Sequence, residues 1–390
     1  MSLLAHILEP YSTEEFLKNK WTSQAVFIAS ETTNKFAHLF SWEKLNDILN
    51  FHELKYPELR LALNGKVLEE ADNRNLINLC HEGATLIING VHKRMPEIAS
   101  FSSELRYELG YSTQVNAYCS WPGRQGFSSH YDTHEVFVLQ IAGSKQWHVF
   151  PDTIKYPLPD QKSASFLPPA GDPYLSCTLG PGDLLYIPRG HWHYAVALDE
   201  PSLHLTLGVH CQTGIDLLDW LVGELRQKPQ WRRSLPLRLD DSDVSTSVET
   251  LVRDLHQYLG DRNIPQDYTS YLDSLGKPIA KYSLPYQAGF NLFPYGVETR
   301  FKRPQFQRVR VSELADNSGY LITMSGKEVS LKGVTPALVE NLFTREFFTG
   351  QDVINWLPGF DWEIDIIPLL TCLVLEGIIF VDTERMKDEG

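Results

Sequence analysis

The sequence predicts an α+β protein with a central all-β domain of the jelly-roll kind, then a helical segment, then a small mixed C-terminal domain. Three patterns indicate this order. Short apolar runs alternate with Gly, Pro, Ser and Asp clusters between residues 114 and 212, amphipathic helical patterns follow at 215–259, and short helical patterns ending in a strand pattern occupy the chain from about 306. Several short strands with turn signals between them are typical of a β-sandwich or barrel rather than of βαβ units.

The first 110 residues mix helices and strands. Thr13 fits the N-cap of a helix because two glutamates follow it in the first turn. Apolar residues repeat at helical spacing over 42–49, and 101–109 has a similar pattern. The runs 59–63 and 85–89 are short, apolar and flanked by turn residues, so we expect strands there.

The β-rich region supplies the strands on which a site between two sheets would be built. Each apolar run in it is short and bounded by turn residues, as expected for an antiparallel sandwich. The predicted strands cover residues 115–118, 135–141, 145–150, 183–187, 193–197 and 203–210.

The chain after residue 212 is predicted to be helical and then mixed. Residues 215–225 and 248–259 have helical patterns, and the second places its apolar residues on one face. Three short helices and a strand resemble a winged helix, and they are predicted at 336–343, 349–356, 363–375 and 378–382. From Phe306 to Gly390 there are 14 acidic and 7 basic residues. Because a DNA-reading winged helix needs the opposite charge, we expect no direct DNA binding.

The bulk composition is that of a globular protein. The 390 residues are 43% hydrophobic and 22% charged, with a formal net charge of −14. This charge disfavours nucleic acid and favours a basic partner protein. The five cysteines are scattered and form no CxxC pair, which favours a reducing compartment. With no signal peptide and no apolar run long enough to span a bilayer, we expect a cytoplasmic protein without membrane contact.

A candidate metal site begins at the segment Gly126-Phe-Ser-Ser-His130-Tyr-Asp132. His130 and Asp132 are two residues apart at the entry to a strand, so their side chains are expected to share a face. A third ligand is expected from Gly182-Asp-Leu-Leu-Tyr-Ile-Pro-Arg-Gly-His191-Trp-His193, where either histidine is available and spacing alone does not separate them. Two histidines and one carboxylate bind Fe(II) while leaving coordination positions open.

Several motifs together resemble the JmjC-type ribosomal oxygenase family. They are the two segments above, Asn116-Ala-Tyr, Glu135-Val-Phe-Val-Leu-Gln140, Gly143-Ser-Lys145-Gln-Trp147 and Ser202-Leu-His-Leu-Thr206, preceded by Gly83-Ala-Thr-Leu-Ile-Ile-Asn-Gly90. The motifs of the β domain are highly specific, whereas the C-terminal likeness is one of order and texture only.

The resemblance implies a double-stranded β-helix (cupin) catalytic domain and assigns its site. His130, Asp132 and His193 would be the iron ligands, with His193 chosen over His191 by the Pro-x-Gly-x-x-His spacing. Lys145 would hold the distal carboxylate of 2-oxoglutarate, since a dicarboxylate inside a barrel needs a cation opposite its far end. Asn116 and Thr206 would line the cosubstrate pocket. Fe(II), 2-oxoglutarate and O2 are the cofactor and cosubstrates that the family uses.

The resemblance also implies a substrate and an assembly. The family hydroxylates side chains of ribosomal proteins, which are basic, and it dimerises through the helical segment. The implied domains are a catalytic domain at 1–212, a helical dimerisation segment at 213–280 and a winged-helix-like domain at 281–390.

Other functions remain open on the sequence. The same chemistry could act on another protein, a peptide or a small natural product. A metal-binding cupin without oxygenase activity is disfavoured by Lys145, because a site that binds metal alone does not need a buried cation. A non-enzymatic adaptor is disfavoured by the complete set of ligands.

Overall fold

The structure is a computed structural model that describes residues 2–237, 241–275, 282–324 and 327–382. The chain divides into two compact units, Met1–Cys211 and Gln212–Gly390. The predicted boundary between the helical segment and the last domain, at 280/281, lies outside the described residues.

The first unit is built from short antiparallel strands. They are β1 (Val26–Ile28), β2 (Leu59–Leu63), β3 (Lys66–Val67), β4 (Thr85–Ile88), β5 (Ser112–Ser120), β6 (Glu135–Ala142), β7 (Lys145–Asp152), β8 (Leu175–Leu179), β9 (Leu184–Ile187), β10 (His191–Ala197) and β11 (Ser202–His210).

These strands form a large and a small sheet. The large sheet has the order β1-β9-β6-β11-β5-β4-β2-β3, and the small sheet has the order β10-β7-β8. All the pairings are antiparallel. Residues of both sheets line one cavity, so the sheets face each other across it. This arrangement confirms the predicted β-sandwich or barrel.

Strand β6 is buried on both sides, which explains the unbroken apolar run at 136–139. Val136 and Val138 belong to a small core with Trp147 of the opposite sheet. Phe137 and Leu139, which alternate with them, belong to the main core of the unit. Full burial of a side chain such as Phe137 contributes about 1.5–3 kcal/mol to stability.

The main core lies between the outer face of the large sheet and a layer of helices. Residues from the helices and from strands β5, β6 and β11 form one cluster of buried side chains. The helices are α1 (Leu3–Leu8), α2 (Thr13–Asn19), α3 (Trp42–Phe51), α4 (Leu76–Glu82) and α5 (Pro96–Leu109). Helix α5 begins with proline in its first turn and ends at Gly110, whose φ of 74° is a left-handed C-cap.

In the part that the structure describes, the second unit contains helices and two small sheets. The helices are α6 (Gly214–Leu225), α7 (Pro229–Arg232), α8 (Asp241–Gly260), α9 (Ile264–Ser274), α10 (Pro336–Thr344), α11 (Gly350–Trp356) and α12 (Ile367–Leu375). The strands are β12 (Arg300–Lys302), β13 (Val309–Glu313), β14 (Gly319–Met324), β15 (Lys327–Lys332), β16 (Phe347–Thr349) and β17 (Phe380–Val381).

The C-terminal elements share one core, and their predicted helices are present. The sheets have the orders β16-β12-β17 and β13-β14-β15. The third predicted helix begins as a π-helical turn over Trp362–Ile366 before α12 continues it. Residues of α10, α11, α12 and β14 pack in the same buried cluster. No helix among the described residues is long and apolar enough to cross a membrane.

Candidate metal centre

Backbone pairing brings two distant histidines side by side. The amide of His130 donates to the carbonyl of His193 at 3.1 Å, and the amide of His193 donates back at 2.7 Å. The two residues form an isolated antiparallel bridge, and their ring centroids are 4.5 Å apart. The segment before β6 and the start of β10 therefore place both imidazoles at one point between the sheets.

Asp132 completes a cluster of three ligand atoms. One ligand atom each from His130, Asp132 and His193 lies within 4.8 Å of the other two. The Oδ2 atom of Asp132 is 3.7 Å from Nε2 of His193. This donor set, two imidazoles and one carboxylate, is the one that non-haem Fe(II) oxygenases use to hold their metal on one face.

The hydrogen bonds of the two imidazoles favour metal binding. Nδ1 of His130 lies 2.9 Å from the carbonyl of Ser128, and Nδ1 of His193 lies 3.0 Å from the carbonyl of His191. A carbonyl only accepts, so each Nδ1 must carry the proton. The Nε2 lone pair of each ring is then free for a metal, and the ring orientation is fixed.

The protonation states of the cluster also fit a metal. Burial alone would raise the pKa of the Asp132 carboxyl, but the imidazoles of His134, His130 and His193 outweigh it and the pKa is lowered. Burial, with the neighbouring His130, lowers the pKa of His193 to about 4. At neutral pH the site thus offers a carboxylate and a neutral imidazole, the forms that bind metal.

The structure separates the two candidate histidines of β10. His191 turns away from the cluster, and its Nδ1 lies 2.7 Å from the hydroxyl of Tyr174. The pairing of β10 with β7 shifts register between His191 and His193. A bulge of this kind changes the face on which successive side chains lie, so residues two apart need not point the same way here.

Lys145 lies in the same cavity as His130, Asp132 and His193. Its side chain is buried, with 6% of its surface exposed, and Nζ donates to Oγ of Ser120 at 2.9 Å. Burial lowers its pKa to about 8. No ion pair of the described residues includes it, so the cavity contains a cation that lacks a counter-charge.

The cavity has room for a small dicarboxylate between the ligands and Lys145. Its volume is about 240 Å³, and Val136, Val138, Trp147 and Ala195 contribute to its apolar lining. On the small sheet, His193 pairs with Val149 and Ala197 pairs with Lys145. The two cross-strand pairs are four residues apart, which is about 13 Å along the strands. The lysine side chain and a linear dicarboxylate would together bridge this gap.

The two remaining predicted residues are neighbours with different surroundings. Thr206 and Asn116 are directly paired between β11 and β5. Thr206 is buried and lines the cavity. Asn116 is not among the lining residues, and its Oδ1 accepts a hydrogen bond from the amide of Gly90 at 2.9 Å. Their roles with a cosubstrate stay predictions.

The cavity wall also contains residues to which the sequence assigned no individual role. Tyr118 stacks on His204 with the rings nearly parallel and their centroids 5.0 Å apart. Burial raises the pKa of Tyr118 to about 12, and burial together with Lys145 lowers that of His204. Alternation along β5 from Asn116 was the available signal for Tyr118 and for Ser120 two residues further on. Arg60 also lines the cavity, but it lies on β2, outside every motif.

Comparisons with known proteins give a family match over the part of the chain that contains His130, Asp132, Lys145 and His193. The family model described as JmjC domain matches residues 95–217. The Rattus norvegicus protein named Ribosomal oxygenase 1 is 30% identical over 255 residues, which cover 60% of this chain and 42% of that protein. A Drosophila persimilis protein named Bifunctional lysine-specific demethylase and histidyl-hydroxylase NO66 is 28% identical over 253 residues, covering 60% of this chain and 36% of that protein. The chain spans less than half the length of both relatives.

Solved structures share the fold across both units. Escherichia coli ribosomal oxygenase YcfD matches with a TM-score of 0.57 and 18% identity, covering 95% of this chain and 98% of that chain. A YcfD structure described as a complex with cobalt and 2-oxoglutarate matches with a TM-score of 0.58 and 18% identity, covering 96% and 99%. At this identity the likeness establishes the fold alone.

Proposed function

We propose that this chain, whose residues 95–217 match the family model described as JmjC domain, is an Fe(II)- and 2-oxoglutarate-dependent oxygenase that hydroxylates a side chain of a ribosomal protein. The observation that carries the proposal is the convergence of His130, Asp132 and His193 in a cavity that also holds the unpaired cation of Lys145. A site for metal alone has no use for that cation, whereas a dicarboxylate cosubstrate does.

In this proposal each residue of the cavity has a defined role. His130, Asp132 and His193 would hold the metal. Bound Fe(II), 2-oxoglutarate and O2 would supply hydroxylation of an unactivated carbon, with succinate and carbon dioxide as the other products. Lys145 would bind the far carboxylate of the cosubstrate through a charge-assisted hydrogen bond. Val136, Val138 and Trp147, which lie in one buried core, exclude water from the cavity wall.

The substrate class rests on relatives and on charge. A relative of this chain is named Ribosomal oxygenase 1, and the net charge of −14 favours association with basic proteins such as those of the ribosome. The proposal is tested by comparing the masses of ribosomal proteins from a strain that has the gene and a strain that lacks it. A gain of one oxygen on a ribosomal protein, present only when the gene is intact, is expected. If the gain occurs on another protein or a small molecule instead, the same chemistry has a different substrate.

The pKa of Lys145 predicts how cosubstrate use depends on pH. With a pKa lowered to about 8 by burial, Lys145 is cationic below that pH and neutral above it. We therefore expect kcat/KM for 2-oxoglutarate to fall about tenfold per pH unit as the pH rises above about 8. The rate of succinate formation at low 2-oxoglutarate concentration, determined over a series of pH values, measures this decline. Lys145→Arg keeps its charge and should flatten the profile; an equal decline in both proteins would contradict the prediction.

The first helix of the second unit supports the proposal of a homodimer. Ile215, Leu218 and Val222 lie at i, i+3 and i+7 on α6, and each exposes 46–54% of its surface. Leu221 and Leu225 are buried on another side of the same helix. Val248 and Val252 are similarly exposed one turn apart on α8. An apolar stripe at helical spacing that remains exposed is the form of an interface that a second copy covers.

A charge placed in this stripe is expected to prevent dimerisation. Leu218→Lys puts an ammonium where a partner would bury a leucine, and an unpaired buried charge opposes association strongly. Analytical ultracentrifugation should give a dimer for the wild-type protein and a monomer for the variant. Phe51→Lys is the control, because Phe51 is 81% exposed on α3 of the first unit; it should leave the mass unchanged. A monomeric wild-type protein would refute the dimer.

The remaining features of the proposal concern architecture and location. We infer that the first unit is a double-stranded β-helix and that α10–α12 with the sheet β16-β12-β17 form a winged-helix-like domain. The 14 acidic against 7 basic residues from Phe306 to Gly390 favour a protein contact over DNA for this domain. The five cysteines, all free thiols in the structure, support a cytoplasmic protein.

A further inference from the structure

Arg60 lies in one cross-strand row with residues of the cavity wall. On the large sheet Arg60 pairs with Ile87, and Ile87 pairs with Tyr118. Tyr118 pairs in turn with His204. Directly opposed side chains of an antiparallel sheet share a face, so the row places Arg60 on the face that bounds the cavity. Arg60 is indeed one of the cavity's lining residues.

The guanidinium of Arg60 has hydrogen-bonding capacity that the described residues leave unused. One Nη donates to Oδ1 of Asn89 at 3.2 Å. Nε is buried and has no hydrogen-bond partner in the described ranges. The ion pairs of those ranges do not include Arg60. A buried donor without a partner is costly, and an acceptor that enters the cavity would relieve this cost.

A nearby arginine shows what a structural arginine looks like in this region. Arg94 also reaches Asn89, because its Nη1 lies 3.5 Å from the backbone carbonyl of that residue. It further donates to the carbonyl of Gly90 and forms an ion pair with Glu58 at 2.6 Å. Arg94 does not line the cavity. The charge of Arg94 is therefore paired within the fold, whereas Arg60 faces the cavity.

Arg60 lies at a different part of the cavity from Lys145. Tyr118, in the Arg60 row, contacts the ring of Phe127, and Phe127 contacts the ring of His130, with centroid distances of 6.2 and 5.5 Å. Lys145 instead contacts Ser120, which is two residues beyond Tyr118 on β5. Arg60 is on β2, which β4 separates from β5 in the large sheet, whereas Lys145 contacts a residue of β5 itself.

We propose that Arg60 is a specificity-determining residue, which donates hydrogen bonds to an acceptor on the target residue and excludes lysine and arginine as targets, so that the hydroxylated side chain is uncharged. The inference rests on the proposed function. An imidazole, an amide or a hydroxyl offers the acceptor that the guanidinium lacks. The target can still belong to a basic protein, because the restriction concerns the one side chain that enters the cavity.

Charge repulsion determines how much more weakly a cationic target would bind than an uncharged one. Two positive charges about 6 Å apart, at an effective dielectric constant of about 20, weaken binding by about a hundredfold. Asp132 and Arg60 attract each other, but a metal held by the cluster would neutralise the charge of that carboxylate. A cationic target would therefore meet Arg60 without a counter-charge, whereas an uncharged acceptor would gain a charge-assisted hydrogen bond.

The first experiment identifies the target residue. Total protein from a strain that lacks the gene is incubated with the purified iron-loaded enzyme, 2-oxoglutarate and O2, and the hydroxylated residue is located by tandem mass spectrometry. An uncharged residue is expected. A hydroxylated lysine or arginine would overturn the inference while leaving the proposed oxygenase activity intact.

The second experiment uses a peptide that copies the mapped site and a copy with lysine at the target position. For Arg60→Gln we expect kcat/KM on the first peptide to fall about ten- to a hundredfold, mainly through KM. The discrimination against the lysine peptide should shrink by about tenfold. Substrate-free succinate formation should stay within about twofold of wild type, which also shows that the variant is folded. Arg94→Gln, the matched control, should leave the kcat/KM and the discrimination unchanged.

The outcomes separate this inference from the function on which it rests. Unchanged peptide kinetics in Arg60→Gln, or a raised 2-oxoglutarate KM in its substrate-free assay, would overturn the role of Arg60 in specificity. The second result would assign Arg60 to the cosubstrate instead. If the wild-type protein forms no succinate, the proposed function itself is overturned. This result is obtained with the wild-type protein alone, before any Arg60 variant is compared.

Discussion

His130→Ala and Asp132→Ala are each expected to abolish the conversion of 2-oxoglutarate to succinate by the iron-loaded protein. Each change removes one of three ligand atoms that lie within 4.8 Å of one another. Loss of a partner that only orients a ligand already costs about 10–100-fold in metal affinity, so loss of a ligand should cost more. Succinate release and calorimetric titration with Co(II), as a stand-in for Fe(II), measure the two effects.

His191→Ala is the matched control for these variants. His191 is also a buried histidine of β10, but its ring bonds to Tyr174 rather than reaching the cluster. Its backbone carbonyl, which accepts the Nδ1 hydrogen bond of His193, is unaffected by the substitution. Metal affinity and succinate formation should remain close to wild type. Loss of metal binding in His191→Ala, or its survival in His130→Ala, would refute the assignment of ligands.

Lys145→Ala is expected to raise the KM for 2-oxoglutarate by about 10–100-fold while metal affinity stays unchanged. The substitution removes a charge-assisted hydrogen bond, which is worth about 1.5–3 kcal/mol. The lysine contacts Ser120 and no metal ligand, so the cluster of imidazoles should be unaffected. Succinate formation as a function of 2-oxoglutarate concentration, together with Co(II) titration, separates the two properties. An unaltered KM would remove Lys145 from the site.

Lys145→Met distinguishes loss of binding from loss of folding. Burial lowers the lysine pKa from 10.5 to about 8, so the charged form opposes folding by on the order of 3 kcal/mol at neutral pH. The penalty is fully present below pH 8 and disappears as the pH rises toward 10.5. A methionine of similar length should therefore raise the melting temperature near pH 7 while still raising the KM. A lowered melting temperature would mean that Lys145 stabilises the fold.

The strands and the ligand segments could be predicted from the sequence because their signals are local. Apolar runs between turn residues located β5, β6, β7, β9, β10 and β11. The HxD spacing put His130 and Asp132 on one face. The strand β8 was not predicted, because its sequence, Leu-Ser-Cys-Thr-Leu, is only partly apolar and too short to stand out from the turn residues around it.

Whether His191 or His193 joins the cluster with His130 and Asp132 depends on a tertiary feature. Simple alternation puts both histidines on one face, and the register shift between them is a property of the pairing of β10 with β7. The position of Arg60 in the cavity was equally hidden, because it follows from a row of pairings across four strands. Neither feature follows from strand alternation, and His193 was chosen only through the resemblance to the family's Pro-x-Gly-x-x-His motif.

The reciprocal backbone hydrogen bonds between His130 and His193 have a consequence for the uptake of metal. The entropic cost of bringing together two parts of the chain that are far apart in sequence is met when the protein folds, not when an ion arrives. In the proposed metal site the two imidazoles would therefore be preorganised, and the free energy of coordination would not be spent on closing a loop. The proposed oxygenase would therefore release its metal and be reloaded without refolding.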